Sequence, residues 1–140
     1  MQISFSREHV YTPEWSGNNN LPEAEQFTAT LKILDVGDLL FLLDAFSNAG
    51  IEGKVEVSDV GTTQLRPILE TVGHLLPKYV TVKNLRNKES DVDIDVAQIV
   101  EFPYFMSLSV ELLMKLAEVS TPSETDEKNL SEPSVSEQAP

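Results

Sequence analysis

Residues 23–34, EAEQFTATLKIL, decide the fold, because their apolar side chains recur at every second position: Phe27, Ala29, Leu31 and Ile33. Period two in a mixture of aromatic, aliphatic and β-branched residues is typical of a strand with one buried face. The preceding stretch, YTPEWSGNNNLPE, is dense in Pro, Gly and Asn and predicts a loop, with a short strand before it at 2–5. YVTVKNL at 79–85 predicts a second strand, followed by a turn at RNKESD.

The apolar run after the first strand, DLLFLLDAFSNAG, predicts a helix that begins at Asp35 or Asp38 and ends at Gly50. Its apolar residues nearly surround the helix axis, and we therefore expect deep burial. KVEVS at 54–58 is compatible with a further short strand.

Leu, Ile and Val recur at helical spacing in two later stretches. The first predicts a helix that begins at Thr62 or Thr63 and ends at Pro77, with Pro67 in its first turn, where a missing N–H costs little. The second begins near Pro103 and carries an apolar stripe of Leu108, Leu112, Leu113, Leu116 and Val119. Between them, Asp95 is placed to cap a short helix. Few strands among several helices predict an α+β domain, a small sheet packed against about three to four helices.

Residues 120–140, STPSETDEKNLSEPSVSEQAP, contain almost no large apolar side chains. Such a segment cannot bury enough surface to offset its chain entropy, so we predict a disordered acidic tail after a single domain at 1–119. The tail holds five acidic residues and one lysine. Most of the formal net charge of −13 therefore belongs to the domain.

The acidity makes direct nucleic-acid binding unfavourable, since phosphate contacts require clustered Lys and Arg. The absence of cysteine excludes disulfides and cysteine-based zinc sites. No apolar run approaches the roughly 20 residues of a membrane span, and MQISFSREHV does not have the pattern of a signal peptide. We expect a soluble, intracellular protein that does not bind membranes.

No residue pattern predicts catalysis or a cofactor. His9 and His74 have no His or Cys nearby at ligand spacing. Asp91, Asp93 and Asp95 imitate the start of a calcium loop, which also needs Gly at position 6 and Glu at position 12. Val and Phe stand at those positions, so an edge strand with outward carboxylates is the better interpretation. We expect no enzyme activity, no metal and no cofactor.

Tyr11 and Trp15 lie in or beside the Pro/Asn-rich loop and are the candidate partner-binding residues. Two interpretations are open for them. An aromatic anchor on a loop is a plausible partner contact, and it is equally a lid over the edge of the core. The cluster at 104–106, YFM, is interpreted as core packing.

Four segments resemble a known family: GNNNLPEAEQF, YVTVKNL, SVELLMKLAEVS and STPSETDEKN. Their order is similar to that of tailed-phage tail assembly chaperones, small proteins encoded before the tape measure protein. The resemblance implies a non-catalytic protein that binds the tape measure and tail tube proteins during tail morphogenesis. It implies no catalytic or ligand residues. Self-association is compatible with it.

Two other functions fit an acidic domain of this size. One is a nucleic-acid mimic that inhibits a host nuclease or defence complex, with DVDID at 91–95 and the 23–25 loop as its candidate surface. The other is a minor virion structural protein. Mimicry requires carboxylates in rows on one face, whereas a carrier needs its charge spread for solubility.

Overall fold

The computed structural model describes residues 1–48 and 62–122. Their helices and small antiparallel sheets confirm the predicted α+β class. The predicted strand at 54–58 lies outside the described residues, as do Gly50 and most of the predicted tail. The single-domain assignment for 1–119 stays a prediction.

Three strands form the main sheet, in the order β1 (Glu8–Tyr11), β2 (Thr28–Lys32) and β3 (Val80–Lys83), all antiparallel. The prediction of a first strand at 2–5 is wrong. The carbonyl of Arg7 still accepts a hydrogen bond from the amide of Ile33, but β2 ends at this point. Residues 2–5 therefore extend past the strand that would have paired with them.

The predicted strand at 23–34 is shorter in the structure, because a 3-10 turn occupies Glu23–Glu25. The buried Asn18 organises this loop. Its amide group donates to the carbonyls of Pro13 and Phe27 at 2.8 and 2.9 Å, and its carbonyl accepts from the amide of Phe27 at 2.8 Å. The loop itself contains a 3-10 segment at Trp15–Asn20.

Helix α1 spans Val36–Asn48 and was predicted at nearly these bounds, but the predicted deep burial is wrong. Leu42 and Ala45 are its buried residues, and the helix contacts two later helices, Thr62–Tyr79 and Met106–Ser120. A helix with apolar residues on nearly all sides is fully buried only if neighbours cover every side. Among the described residues, the helices that contact α1 leave four of its large apolar side chains exposed.

Helix α2 spans Thr62–Tyr79 and contains both prolines, which corrects two predictions. Pro67 lies beyond the first turn, and Pro77 does not end the helix. Pro77 and Gly73 are both exposed, so the carbonyl of Gly73, which loses its helical donor at Pro77, can be solvated. Burial of the residues around Pro77 on the inner side outweighs the local cost.

Two further helices follow β3. A 3-10 turn at Pro103–Phe105 separates α3 (Val96–Glu101) from α4 (Met106–Ser120). The cap at Asp95 is confirmed, with a reciprocal bond between Asp95 and Gln98. The segment RNKESD, at 86–91, is more than a turn. Its first two residues form β4 (Arg86–Asn87), which pairs with β5 (Val92–Asp93) in a small hairpin.

The core lies between the helices and one face of the main sheet. The α4 stripe is central to it, with Leu108, Leu112, Leu113 and Leu116 fully buried. Ala29 and Leu31 of β2 meet these helices, while the alternate residues of the sheet, such as Thr30 and Val10, point the other way. The predicted final helix with an inward stripe is confirmed, but it begins at Met106, after the preceding 3-10 turn, and Val119 of the stripe is only partly buried.

Candidate protein-binding surfaces

Tyr11 is attached to the body of the protein by a long-range hydrogen bond. Its hydroxyl donates to Oε2 of Glu111 at 2.6 Å, and the amide of Glu14 donates to the same oxygen at 2.7 Å. Nζ of Lys115 lies 5.2 Å from the ring centroid. Burial, the bond to Glu111 and neighbouring carboxylates raise the pKa of Tyr11 far above its ordinary value. Tyr11 thus has a structural role in joining β1 to α4.

Trp15 is half-buried and packs against three aromatic rings. Its ring centroid lies 6.2 Å from that of Phe27, 5.5 Å from Phe105 and 6.0 Å from Tyr104. The contacts with Phe27 and Tyr104 are edge-to-face and the contact with Phe105 is tilted, and aromatic packing of this kind stabilises the boundary of a core. The geometry agrees with Trp15 as a cover over the core, and partner binding through Tyr11 and Trp15 stays a prediction.

Tyr104 is the exposed member of this group, which we name the aromatic corner (Trp15, Tyr104 and Phe105). Tyr104 is 76% exposed, whereas its neighbour Phe105 is buried. The interpretation of 104–106 as core is therefore wrong for Tyr104. Adjacent residues in a 3-10 turn point in directions about 120° apart, so one ring enters the core and the next stays outside.

A second exposed surface lies on α1 and was missed in the sequence. Val36, Leu40 and Leu43 are 74%, 57% and 42% exposed. Their spacing of four and three residues places them in one line along the helix, opposite the buried Leu42 and Ala45. We name these three residues the α1 stripe. The sequence of α1 contains more apolar residues than one buried face needs, and this excess is the signal that indicates the stripe.

Phe41 borders the α1 stripe on the side of α2. It is 45% exposed, and its ring lies edge-on to that of His74, with centroids 5.1 Å apart. His74 is an exposed residue of α2. The apolar surface of α1 therefore continues toward α2 through an aromatic contact.

The first turn of α1 is held to the end of α2 by Asp38. Its Oδ2 accepts from Nζ of Lys78 at 2.8 Å and from the hydroxyl of Tyr79. The hydrogen bond from Lys78, followed by that from Tyr79, holds the pKa of Asp38 below its ordinary value. These contacts position the N-terminal end of the α1 stripe.

The three aspartates at 91–95 are each engaged locally. The guanidinium of Arg86 bonds Asp91 at 2.9 Å and Asp93 at 3.1 Å, and Asp95 caps α3. The structure therefore combines two of these carboxylates with a positive charge. In the ranges 1–48 and 62–122, no group of three or more His, Asp or Glu side chains is arranged to hold a metal ion.

Within the part of the chain that the structure describes, no helix is both long and apolar enough to cross a membrane. Comparisons of the chain with protein-family models, with curated proteins and with solved structures found no match.

Proposed function

We propose that this protein is a non-catalytic, tail assembly chaperone-like protein that binds the tape measure and tail tube proteins in the host cytoplasm during phage tail morphogenesis. The observation that carries the proposal is the α1 stripe. Three aliphatic side chains in line on one helix form a contact surface for an apolar client. The resemblance of four segments to tail assembly chaperones supplies the identity of that client.

The charge of the chain supports the same role. A carrier that exposes apolar side chains must avoid associating with its own copies, and a net charge of −13 opposes that association. A tape measure segment buried on the stripe gains about 25 cal/mol for each Å² of apolar surface removed from water. An acidic protein with a local apolar stripe can thus remain dispersed and still hold a client.

The stripe of α4 does not supply this contact, because its leucines form the core. The α1 stripe and the aromatic corner are the two candidate surfaces. The α1 stripe is the better candidate, since its residues are 42% to 74% exposed, whereas Trp15 and Phe105 pack against the core.

The nucleic-acid mimic receives less support. Its candidate carboxylates at Asp91 and Asp93 are paired with Arg86, and Asp95 is used as a helix cap. A mimic of a phosphate row needs carboxylates that remain available to a basic groove.

The first test is the gene neighbourhood. We expect a tape measure gene directly downstream, and a position among early host-takeover genes would contradict the proposal. The second test is co-expression of the protein with the neighbouring tape measure protein, followed by affinity purification. We expect the two to co-purify, and the small protein to be absent from mature virions in mass spectrometry. Retention in virions at stoichiometric level would favour a structural protein.

A further inference from the structure

The charged residues of α1 itself have one sign, and Lys78, a cation beside the helix, is bound to Asp38. Helix α1 contains Asp38 and Asp44 and no Lys or Arg. Asp44 is exposed and follows Leu43 directly, on the border of the stripe that faces away from the core. Asp35, also exposed, precedes the helix and accepts a hydrogen bond from the amide of Asp38. The stripe is therefore an apolar line with the exposed carboxylates of Asp44 at its edge and Asp35 at its N-terminal end.

We propose that the α1 stripe binds an amphipathic α-helix whose apolar face is bordered by Lys or Arg. The inference rests on the proposed function and deepens it, since it states which segment of the tape measure the stripe selects. The apolar faces of the two helices pack together, and the basic border of the client lies beside Asp35 and Asp44.

The shape of the stripe favours a helix as its occupant. Val36, Leu40 and Leu43 extend over about 10 Å along α1 at the helical rise of 1.5 Å per residue. A line of side chains at this spacing is a ridge, and it packs into the groove between the side chains of a second helix. The flanking Phe41 widens the surface on the α2 side.

Charge complementarity favours a basic client over a second copy of this chain. Two copies packed through α1 would bring like carboxylates together, and each copy carries a net charge of −13. Like charges at an interface suppress a wrong partner, and opposite charges accelerate encounter with the right one. A Lys- or Arg-bordered helix satisfies both the apolar line and its acidic surroundings.

The test uses the full chain and three synthetic peptides of about 20 residues. One peptide is an amphipathic helix with a Leu face and a Lys border. The second replaces Lys by Glu, and the third is a scrambled version of the first. Binding is measured by fluorescence anisotropy of a dye on the peptide. We expect the Lys-bordered helix to bind at least about tenfold more tightly than either of the others.

Variants of the protein locate the contact. We expect Leu40→Ser with Leu43→Ser to weaken binding of the Lys-bordered peptide by about tenfold or more, and Asp44→Lys to weaken it several-fold at low salt. Val10→Ser is the matched control, because Val10 is an aliphatic residue exposed to 73% on the sheet face away from the helices. It should leave binding unchanged.

Equal binding of the Glu-bordered or scrambled peptide would overturn the inference, as would an equal loss in Val10→Ser. A stable dimer that Leu40→Ser dissociates would also overturn it, because the second copy would then be the occupant. None of these results removes the proposed function if the tape measure still co-purifies. Loss of tape measure binding with an intact preference for basic helices would instead refute the proposed client.

Discussion

The hydroxyl of Tyr11 on β1 donates a hydrogen bond to the carboxylate of Glu111 on α4, 100 residues later in the chain. The same carboxylate oxygen accepts the amide of Glu14, so one side chain of α4 holds both the edge strand and the start of the following loop. The loop that carries Trp15 over the core is therefore attached to α4 at Glu111. We infer that the stability of this loop depends on that contact.

The contribution of the Tyr11–Glu111 hydrogen bond to stability can be measured by removing the hydroxyl group of Tyr11. We expect Tyr11→Phe to lower the free energy of unfolding by about 1 to 2 kcal/mol, because it removes a hydrogen bond to a charged acceptor. Urea denaturation followed by circular dichroism checks this. Tyr104→Phe is the matched control on an exposed tyrosine, and an equal loss in both variants would contradict the assigned role of Glu111.

The buried Asn18 is expected to be the most sensitive polar residue of the loop. Asn18→Ala leaves the amide and carbonyl of Phe27 without their partner, which we expect to cost about 2 to 4 kcal/mol in two or more unsatisfied groups. Asn19→Ala, at the exposed neighbouring position, should change the unfolding free energy by less than about 0.5 kcal/mol. A small effect at Asn18 would show that the loop is not held by these bonds.

The Asp38 contacts predict a dependence of stability on pH. The pKa of Asp38 is lower in the folded protein than in the unfolded chain, so its stabilising contribution is present above the ordinary value of 3.8. It is lost as the pH falls through the folded pKa, when the carboxylate that binds Lys78 and Tyr79 becomes protonated.

We therefore expect Asp38→Asn to reduce the steepness with which stability falls in acid, measured by urea denaturation at several pH values below about 5. Asp44→Asn removes one carboxylate from the same helix and is the matched control. The difference between the two variants isolates the contacts of Asp38, and an identical profile for both would contradict the prediction.

Regular local patterns of the sequence predicted most of the elements. The alternation at Phe27–Ile33, the Leu spacing of α4 and the Asp95 cap are each determined by a few neighbouring residues, and each is observed. The β-rich run at 79–85 also forms a strand, which ends where Asn84 takes a positive φ of 67°.

The remaining features depend on contacts that are distant in the sequence. A strand at 2–5 was predicted from local pattern, but pairing with β2 decides which residues form β1. Helix α2 continues through Pro77 because the inner side of the helix is packed in the core. Exposure of the α1 stripe depends on which sides of α1 meet other helices. The excess of apolar positions in α1 indicates a second apolar face, but it does not tell whether another helix covers that face.

Truncation in the core and in the α1 stripe should separate structural from binding residues. We expect Leu112→Ala, at a fully buried position, to lower the unfolding free energy by about 2 to 5 kcal/mol. Leu40→Ala should change it by less than about 0.5 kcal/mol, because its side chain is more than half exposed. Comparable losses would mean that the α1 stripe is part of the core.

The measurement that tests the account most directly is binding of the neighbouring tape measure protein to the full chain with and without the α1 stripe. Wild type, Leu40→Ser with Leu43→Ser, and the control Val10→Ser are co-expressed with the tape measure and purified through it. We predict that the double variant folds but is lost from the complex, while Val10→Ser is retained. Undiminished recovery of the folded double variant would contradict the claim that α1 binds the client.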